Sequence, residues 1–506
     1  MRVPERTAAP SRVIAAGAPR RSKFEAVGFV LLAAAITLVT GGCGREPEKP
    51  LVIVFGDSPV TLDPQTSNRN VGWSVLASFY DPLVSLGPNL RPIPALATSW
   101  EHTSPTRWRF HLRSGVTFCT GQPLTASDVV ASFERARTLP TSAVAQYLVG
   151  VRSITAAGPA TVVIETDGAQ ADLLNRLSFI FVLRARDAGP GSITAPVGTG
   201  AYRFTGERKG GTILAEGWSG WRGRPACGRV VFEFAGTGEA AVGRLLAGGG
   251  DVCHLVPDAW LAEVARSPIA RLEQQPRLAV QLLGITDQAA RGETKRALAD
   301  VRVRRALLLA LDRSSWVANL FRGNATVASQ YVHPAVFGYD PALQPAPYDP
   351  AEARRLLAEA GFPSGFDVEL AYDPAATAVA EAITSDLAKV GVRVQLRPGV
   401  LTAPLRYFGW ACSTGDASDF FESLIRSGGP RQFGDSGVDA LLDAAGREAD
   451  PVKRLGLLQQ AQRRTLDLLP LLPLTVRWGF KGVSQRVDVV VRYDEREDVA
   501  AFRWRG

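Results

Sequence analysis

Two short stretches carry the side chains most able to do chemistry. "GWACSTGDASDFF", Gly409 to Phe421, sets Ser413, Thr414, Asp416 and Asp419 between Trp410 and the Phe420–Phe421 pair. A surface loop does not need those aromatics, and a core strand has no use for so many hydroxyls and carboxylates. The second stretch, "VIVFGDS", ends a strand-like run in Gly-Asp-Ser and offers Ser58 as a nucleophile. A serine needs a positioned base to attack. The last histidine is His333 and no aspartate stands three residues before it, so "DSP" reads as turn chemistry. Ser436, in "FGDSGVDALL", is expected to cap a helix with Asp439 in its first turn. No enzyme chemistry is therefore expected, with a GDSL-type esterase as the distant alternative.

The elements around these stretches alternate. "LVIVFG" from Leu51, "RWRFHL", "TVVIET" and "VVFEF" read as strands, and "TASDVVASFERAR" as a helix opened by a capping box of Thr125 and Asp128. A helix, "EAAVGRLLA", runs into the strand "DVCHLV". In the second half Asp349 caps a helix with Pro350 at its first position. The strand "FDVELAY", a helix over Ala375–Val390 and the strand "VRVQLR" then form a βαβ unit. Two amphipathic helices follow, and "LPLTVRWGF" returns as a strand. With 506 residues the chain is too long for one core. The fold class is α/β: two lobes, with the C-terminus returning to the first, leave a cleft between them.

The N-terminus looks like an address. Arg20, Arg21 and Lys23 precede thirteen apolar residues, Val27 to Val39, too few for a membrane span of about 20 but suited to a signal peptide. "TGGCG" follows, and Cys43 resembles the lipidated first residue of a mature lipoprotein, although Thr40 stands where leucine is usual. "REPEKP" is then a tether. The formal charge is +8, but residues 1–42 hold six Lys/Arg against two Glu, so removing them halves the excess. No basic run interleaves with aromatics, which argues against a nucleic-acid partner. Export would place Cys119, Cys227, Cys253 and Cys412 in an oxidising compartment where pairs persist, in any of three connectivities. Four scattered histidines and no CxxC leave no metal site and no cofactor to expect.

Several separated motifs resemble one family, the peptide/nickel-type (family 5) substrate-binding proteins of ABC transporters. Tyr80–Arg137 holds "YDPLVSLGPNLRPIPALATSWE" and "RWRFHLRSGVTFCTGQPLTASDVVASFERAR"; "PVGTGAYRF", "DVRVRRALLLALDR" and "YDPAEARRLLAEAGF" continue the match, which covers roughly 51–480. The resemblance implies a periplasmic-binding-protein-like fold, two lobes joined by two crossing segments with an extra subdomain in the first. The first lobe would be 51–71, 196–285 and 470–506, the inserted subdomain 72–195 and the second lobe 286–469. It implies a monomer, lipid-anchored outside the cytoplasm, that takes a peptide-like or other small polar solute and hands it to membrane permease subunits. A sensory relative using the same cleft is the rival. The Gly409–Trp410 segment would line the cleft, with Trp410 as a flat wall and Ser413, Thr414 and Asp416 as polar contacts. Asp416 could instead cap the following helix, and Asp419 is expected to be structural. Asn68 and Asn70, in "SNRNVGW", and Tyr372, ending "VELAY", would face the same solute. Peptide-binding members hold the α-ammonium with a carboxylate where this chain has Ser413, so free dipeptides are expected to bind poorly. The stretch from Gly391 to Trp410 is also about ten residues shorter than in the family, which removes a small helix.

Overall fold

The computed structural model describes residues 49–57, 60–208, 210–286, 289–428 and 433–505. Ser58 and the lipidation candidate Cys43 lie outside them. The described residues form one compact unit.

Two long strands, Ala270–Ile285 and Leu471–Ser484, pair antiparallel and hold the molecule together. On one side of this pair the sheet continues through Val252–Cys253, Leu51–Phe55, Arg229–Phe234, Thr212–Gly217 and Tyr202–Arg208. On the other it continues through Leu405–Ala411, Asp367–Tyr372 and Arg393–Pro398. The two strands thus belong to both lobes. Their register shifts between Pro276 and Val280, where one lobe's pairing gives way to the other's. Proline has no N–H to give a ladder, so it belongs at such an irregularity.

Local chemistry explains most elements. In the first lobe Leu51–Phe55 is buried at every position and lies parallel to both neighbours, as an apolar run without alternation requires. Thr125 N–H donates to Asp128 Oδ2 at 2.8 Å, completing the expected capping box on Ala126–Thr138. Asp349 Oδ1 accepts from Glu352 N at 2.9 Å, with Pro350 in the first turn. The βαβ unit is present, with Asp367–Tyr372 parallel to Arg393–Pro398 and the helix between them at Thr377–Ala388. The link from Pro398 to Leu405 is short and holds no helix. In "PVGTGAYRF", a Cβ at Gly198 would lie 2.1 Å from the Phe79 carbonyl oxygen. Only glycine lets the chain pass there.

Four strands, Ala97–Ser104, Arg107–Leu112, Thr161–Thr166 and Val151–Ala156, make a separate sheet backed by the Ala126–Thr138 helix. The helix Asn70–Leu76 straddles the expected boundary at residue 72. Its Val71, Val75 and Leu76 pack with Phe79, Tyr80 and Phe181 into the core that holds Leu51, Ile53 and Phe55. Two expectations are corrected. The cap on Ser436–Arg447 is Asp435, which accepts from Val438 N at 2.9 Å; Ser436 is already helical. Cys119, Cys253 and Cys412 are free thiols, so none of the four-cysteine pairings is formed. Burial pushes Cys253 up to about 12, which leaves it an inert core thiol.

Candidate functional site

The strand Leu405–Ala411 runs antiparallel to the crossing strand and sets Trp410 opposite Val280, just past the register shift. The chain then turns tightly. Ser413 N donates to Ala411 O and Gly415 N to Cys412 O, each at 2.9 Å, and Gly415 takes a φ of 75°. The turn docks on the inserted subdomain: Asn175 Nδ2 donates to Thr414 O at 2.7 Å, and Ser418 Oγ bonds Asp172 Oδ2 at 3.2 Å.

Most of the polar groups in this segment are committed internally. Asp416 is 3% exposed and receives Arg454 Nη1 at 2.5 Å and Nη2 at 3.0 Å. Its Oδ1 also accepts from Ser418 N and Oγ at the start of the helix Ser418–Leu424, whose N-cap position is Ala417. Burial alone would raise the Asp416 carboxyl, but Arg454 and Ser418 outweigh it and hold the group below its ordinary range. Thr414 N and Oγ1 donate to Asp419 Oδ2 at 3.4 and 3.2 Å. Asp419 has no such cation. Burial, with Asp416 and Asp172 adding repulsion, pushes its carboxyl up to about 6. Ser413 is half-buried, and Trp410 packs against the neighbouring core with its Nε1 buried and without a partner among the described residues.

The other predicted contacts separate. Asn68 is exposed, and its side chain lies near enough to Tyr147 of the inserted subdomain to offset part of the rise in the tyrosine's pKa. Asn70 begins the Asn70–Leu76 helix, where its carbonyl accepts from Ser74 Oγ at 2.8 Å. Tyr372 is 6% exposed and belongs to the second lobe's apolar core, so the structure gives it a packing role. Missed by the sequence reading is a column beginning at Tyr147. Tyr147 stacks on Phe179 at 4.2 Å, Phe179 lies against the Arg496 guanidinium at 4.4 Å, and Trp73 covers that guanidinium at 4.3 Å. The burial of Tyr147 and the charge of Asp419 raise the tyrosine's pKa, which sets the column near the second lobe's turn. The signal was present in "RYDEREDVAAF", a dense charge cluster running into apolar residues, but charge runs usually face solvent.

A cavity of about 200 Å³ also opens between the inserted subdomain and the second lobe, lined by His102, Trp108, Phe337, Asp416 and Arg454. Its main charged pair is already satisfied. It offers little to a solute.

Comparison with known proteins gives a consistent result. Residues 91–430 match the bacterial extracellular solute-binding proteins, family 5 middle region. Heme-binding protein A of Haemophilus influenzae is 29% identical over 448 residues, covering 78% of this chain and 80% of that protein. The dipeptide-binding protein of Escherichia coli is 26% identical, covering 87% and 91%. Among solved structures, HbpA2 from Haemophilus parasuis superposes with a TM-score of 0.79 at 24% identity, over 90% of this chain and 100% of that one. A dipeptide-binding protein from Pseudoalteromonas in complex with Met-Leu gives 0.77 at 23%, over 90% and 100%.

Proposed function

The chain belongs to the family 5 bacterial extracellular solute-binding proteins, and from that premise we propose that it serves an ABC importer. It captures a peptide-like or other small polar solute between its lobes and delivers it to a membrane permease, without covalent chemistry. The observation that carries this reading is the pair of crossing strands. They are the sheet's only continuity between the lobes among the described residues, and a two-strand connection can bend. Trp410 stands beside that connection with an uncommitted N–H, the kind of group that orients a solute in an otherwise apolar site. Ser413 cannot neutralise an ammonium, so the preferred solute is one whose recognition does not depend on a free α-amino group.

The protein works as a monomer tethered outside the cytoplasm through lipidated Cys43. No helix of the described residues is long and apolar enough to cross a membrane, and Cys43 lies outside those residues. One purification tests both halves of the proposal. Protein extracted from membranes with detergent should release one small organic solute per chain on denaturation, identified by mass spectrometry. A Cys43→Ala variant should leave the membrane fraction or stay unprocessed. A processed variant that still partitions into detergent would refute the anchor. Purified protein that neither carries nor takes up any small solute would refute the capture reading.

A further inference from the structure

A second cavity, of about 340 Å³, opens on the second-lobe side of the sheet, where the two crossing strands end. Gly284 and Ile285 of one strand and Leu471 of the other meet the start of Leu405–Ala411 there. Arg406 lies across from Gly284 in the ladder. Because Gly284 has no side chain, the Phe408 ring can approach; a Cβ at Gly284 would stand 2.9 Å from its Cε1. The Arg406 guanidinium rests over the same ring, 5.6 Å from its centre. Leu424 and Phe433 add apolar wall, and the short link after Pro398 supplies Leu401 and Thr402. Leu401 is 71% exposed, an apolar side chain left uncovered at the rim.

The cavity sets one cation among apolar walls. No carboxylate lines it, and the Arg406 guanidinium makes no ion pair or hydrogen bond among the described residues. Its neighbours in the second lobe differ: Arg397 is paired with Glu369, Arg426 with Asp443 and Arg454 with Asp416. Arg406 meets only the face of a ring, which leaves its N–H edges unused. Thr286 and Thr402 bring two hydroxyls to the same lining. One guanidinium with two hydroxyls suits a planar, singly charged oxyanion rather than a phosphate dianion. The remaining wall is aliphatic and aromatic, so hydrocarbon is what it favours. A cavity of about 150 Å³ holds one benzene, so one of about 340 Å³ accommodates a carboxylate carrying a chain or ring. Trp410 lies four residues further along the strand, roughly 13 Å away, so the cavity is not the place assigned to the captured solute.

We propose that this cavity is a second binding site, for a small amphipathic monocarboxylate. The carboxylate pairs with Arg406, and the apolar body lies against Ile285, Leu424, Phe433 and Leu471. The site goes beyond the capture reading, since it shares no residue with the proposed solute contacts and needs no closure of the lobes.

The probes are octanoate, octan-1-ol and acetate, measured by calorimetry on the mature protein. Octanoate should bind at least about tenfold tighter than octan-1-ol, because the alcohol lacks charge-assisted hydrogen bonds. Acetate, which lacks the hydrocarbon, should not bind measurably. Arg406→Met should bring octanoate down to the affinity of the alcohol. Thr402→Trp, which puts an indole at the exposed rim, should block both, and it tests the site independently of any effect of Arg406 on folding. No octanoate binding to the unaltered protein, or equal affinity for acid and alcohol, would overturn the proposal. Octanoate binding that survives in both variants would place it elsewhere on the molecule and overturn the proposal equally. Arg406→Met should still carry the co-purifying solute of the cleft. Loss of that solute together with octanoate would make the two sites one, and the second site would fall while the capture reading stood.

Discussion

Asp416 and Asp419 stand three residues apart and are pushed in opposite directions by what surrounds them. Asp416 has Arg454; Asp419 has only the Thr414 donors and two repelling carboxylates. The signs follow by linkage. The carboxyl of Asp416 is lowered in the folded state, so its contribution is present above the ordinary aspartate value of 3.8 and fades as pH falls through the folded value. That of Asp419 is raised to about 6, so the folded state binds its proton more tightly and stability falls as pH rises from about 4 to 6. Asp416→Asn, by stranding the Arg454 charge, should cost about 3–5 kcal/mol at pH 7. Asp419→Asn should instead flatten the decline between pH 4 and 6 and leave the protein no less stable at pH 7. Urea unfolding at several pH values reads both, and a large loss in Asp419→Asn at pH 7 would show that its ionised form is a structural partner after all. The sequence could place these residues in one loop. It could not say which carboxyl had a cation, because Arg454 lies on another helix, 38 residues away.

At the scale of elements, local signals were legible where a few neighbouring residues decide the outcome. The capping box at Thr125, the Pro350 helix start and the parallel βαβ unit each follow from contiguous sequence. Where the signal depends on tertiary partners, it blurred. The Asn70–Leu76 helix has no capping bond of its own and owes its place to packing of Val71, Val75 and Leu76 on the first lobe, so its allegiance could not be read ahead. The Ser436 helix illustrates a narrower ambiguity, since Asp and Ser are adjacent and both cap well. The structure selects Asp435, which also holds Arg464 Nε at 2.5 Å. Asp435→Ala should therefore cost about 1–2 kcal/mol, and Ser436→Ala a few tenths at most. Thermal unfolding of the two variants checks the assignment; equal losses would mean that the cap is shared.

For the whole molecule, the crossing strands decide how it moves. Each lobe and the inserted subdomain has its own core, and a packed core resists deformation, so relative motion must concentrate where cores are absent. At the register break between Pro276 and Val280 the ladder is already interrupted, so the hydrogen bonds lost on bending there are few, and only Leu278 and Val280 tie that stretch to a neighbouring core. A solute touching both lobes can favour the closed arrangement only by its differential affinity for it. Trp410, proposed above as a solute contact beside the crossing strands, would supply part of that difference. Small-angle scattering should therefore give a smaller radius of gyration with the co-purifying solute than after its removal. Replacing Pro276 with Val, which restores an N–H and a strand former next to the break, should stiffen the connection and reduce that contraction without weakening either lobe. Identical profiles with and without solute would mean that the lobes do not close, and full contraction in Pro276→Val would move the hinge elsewhere along the two strands.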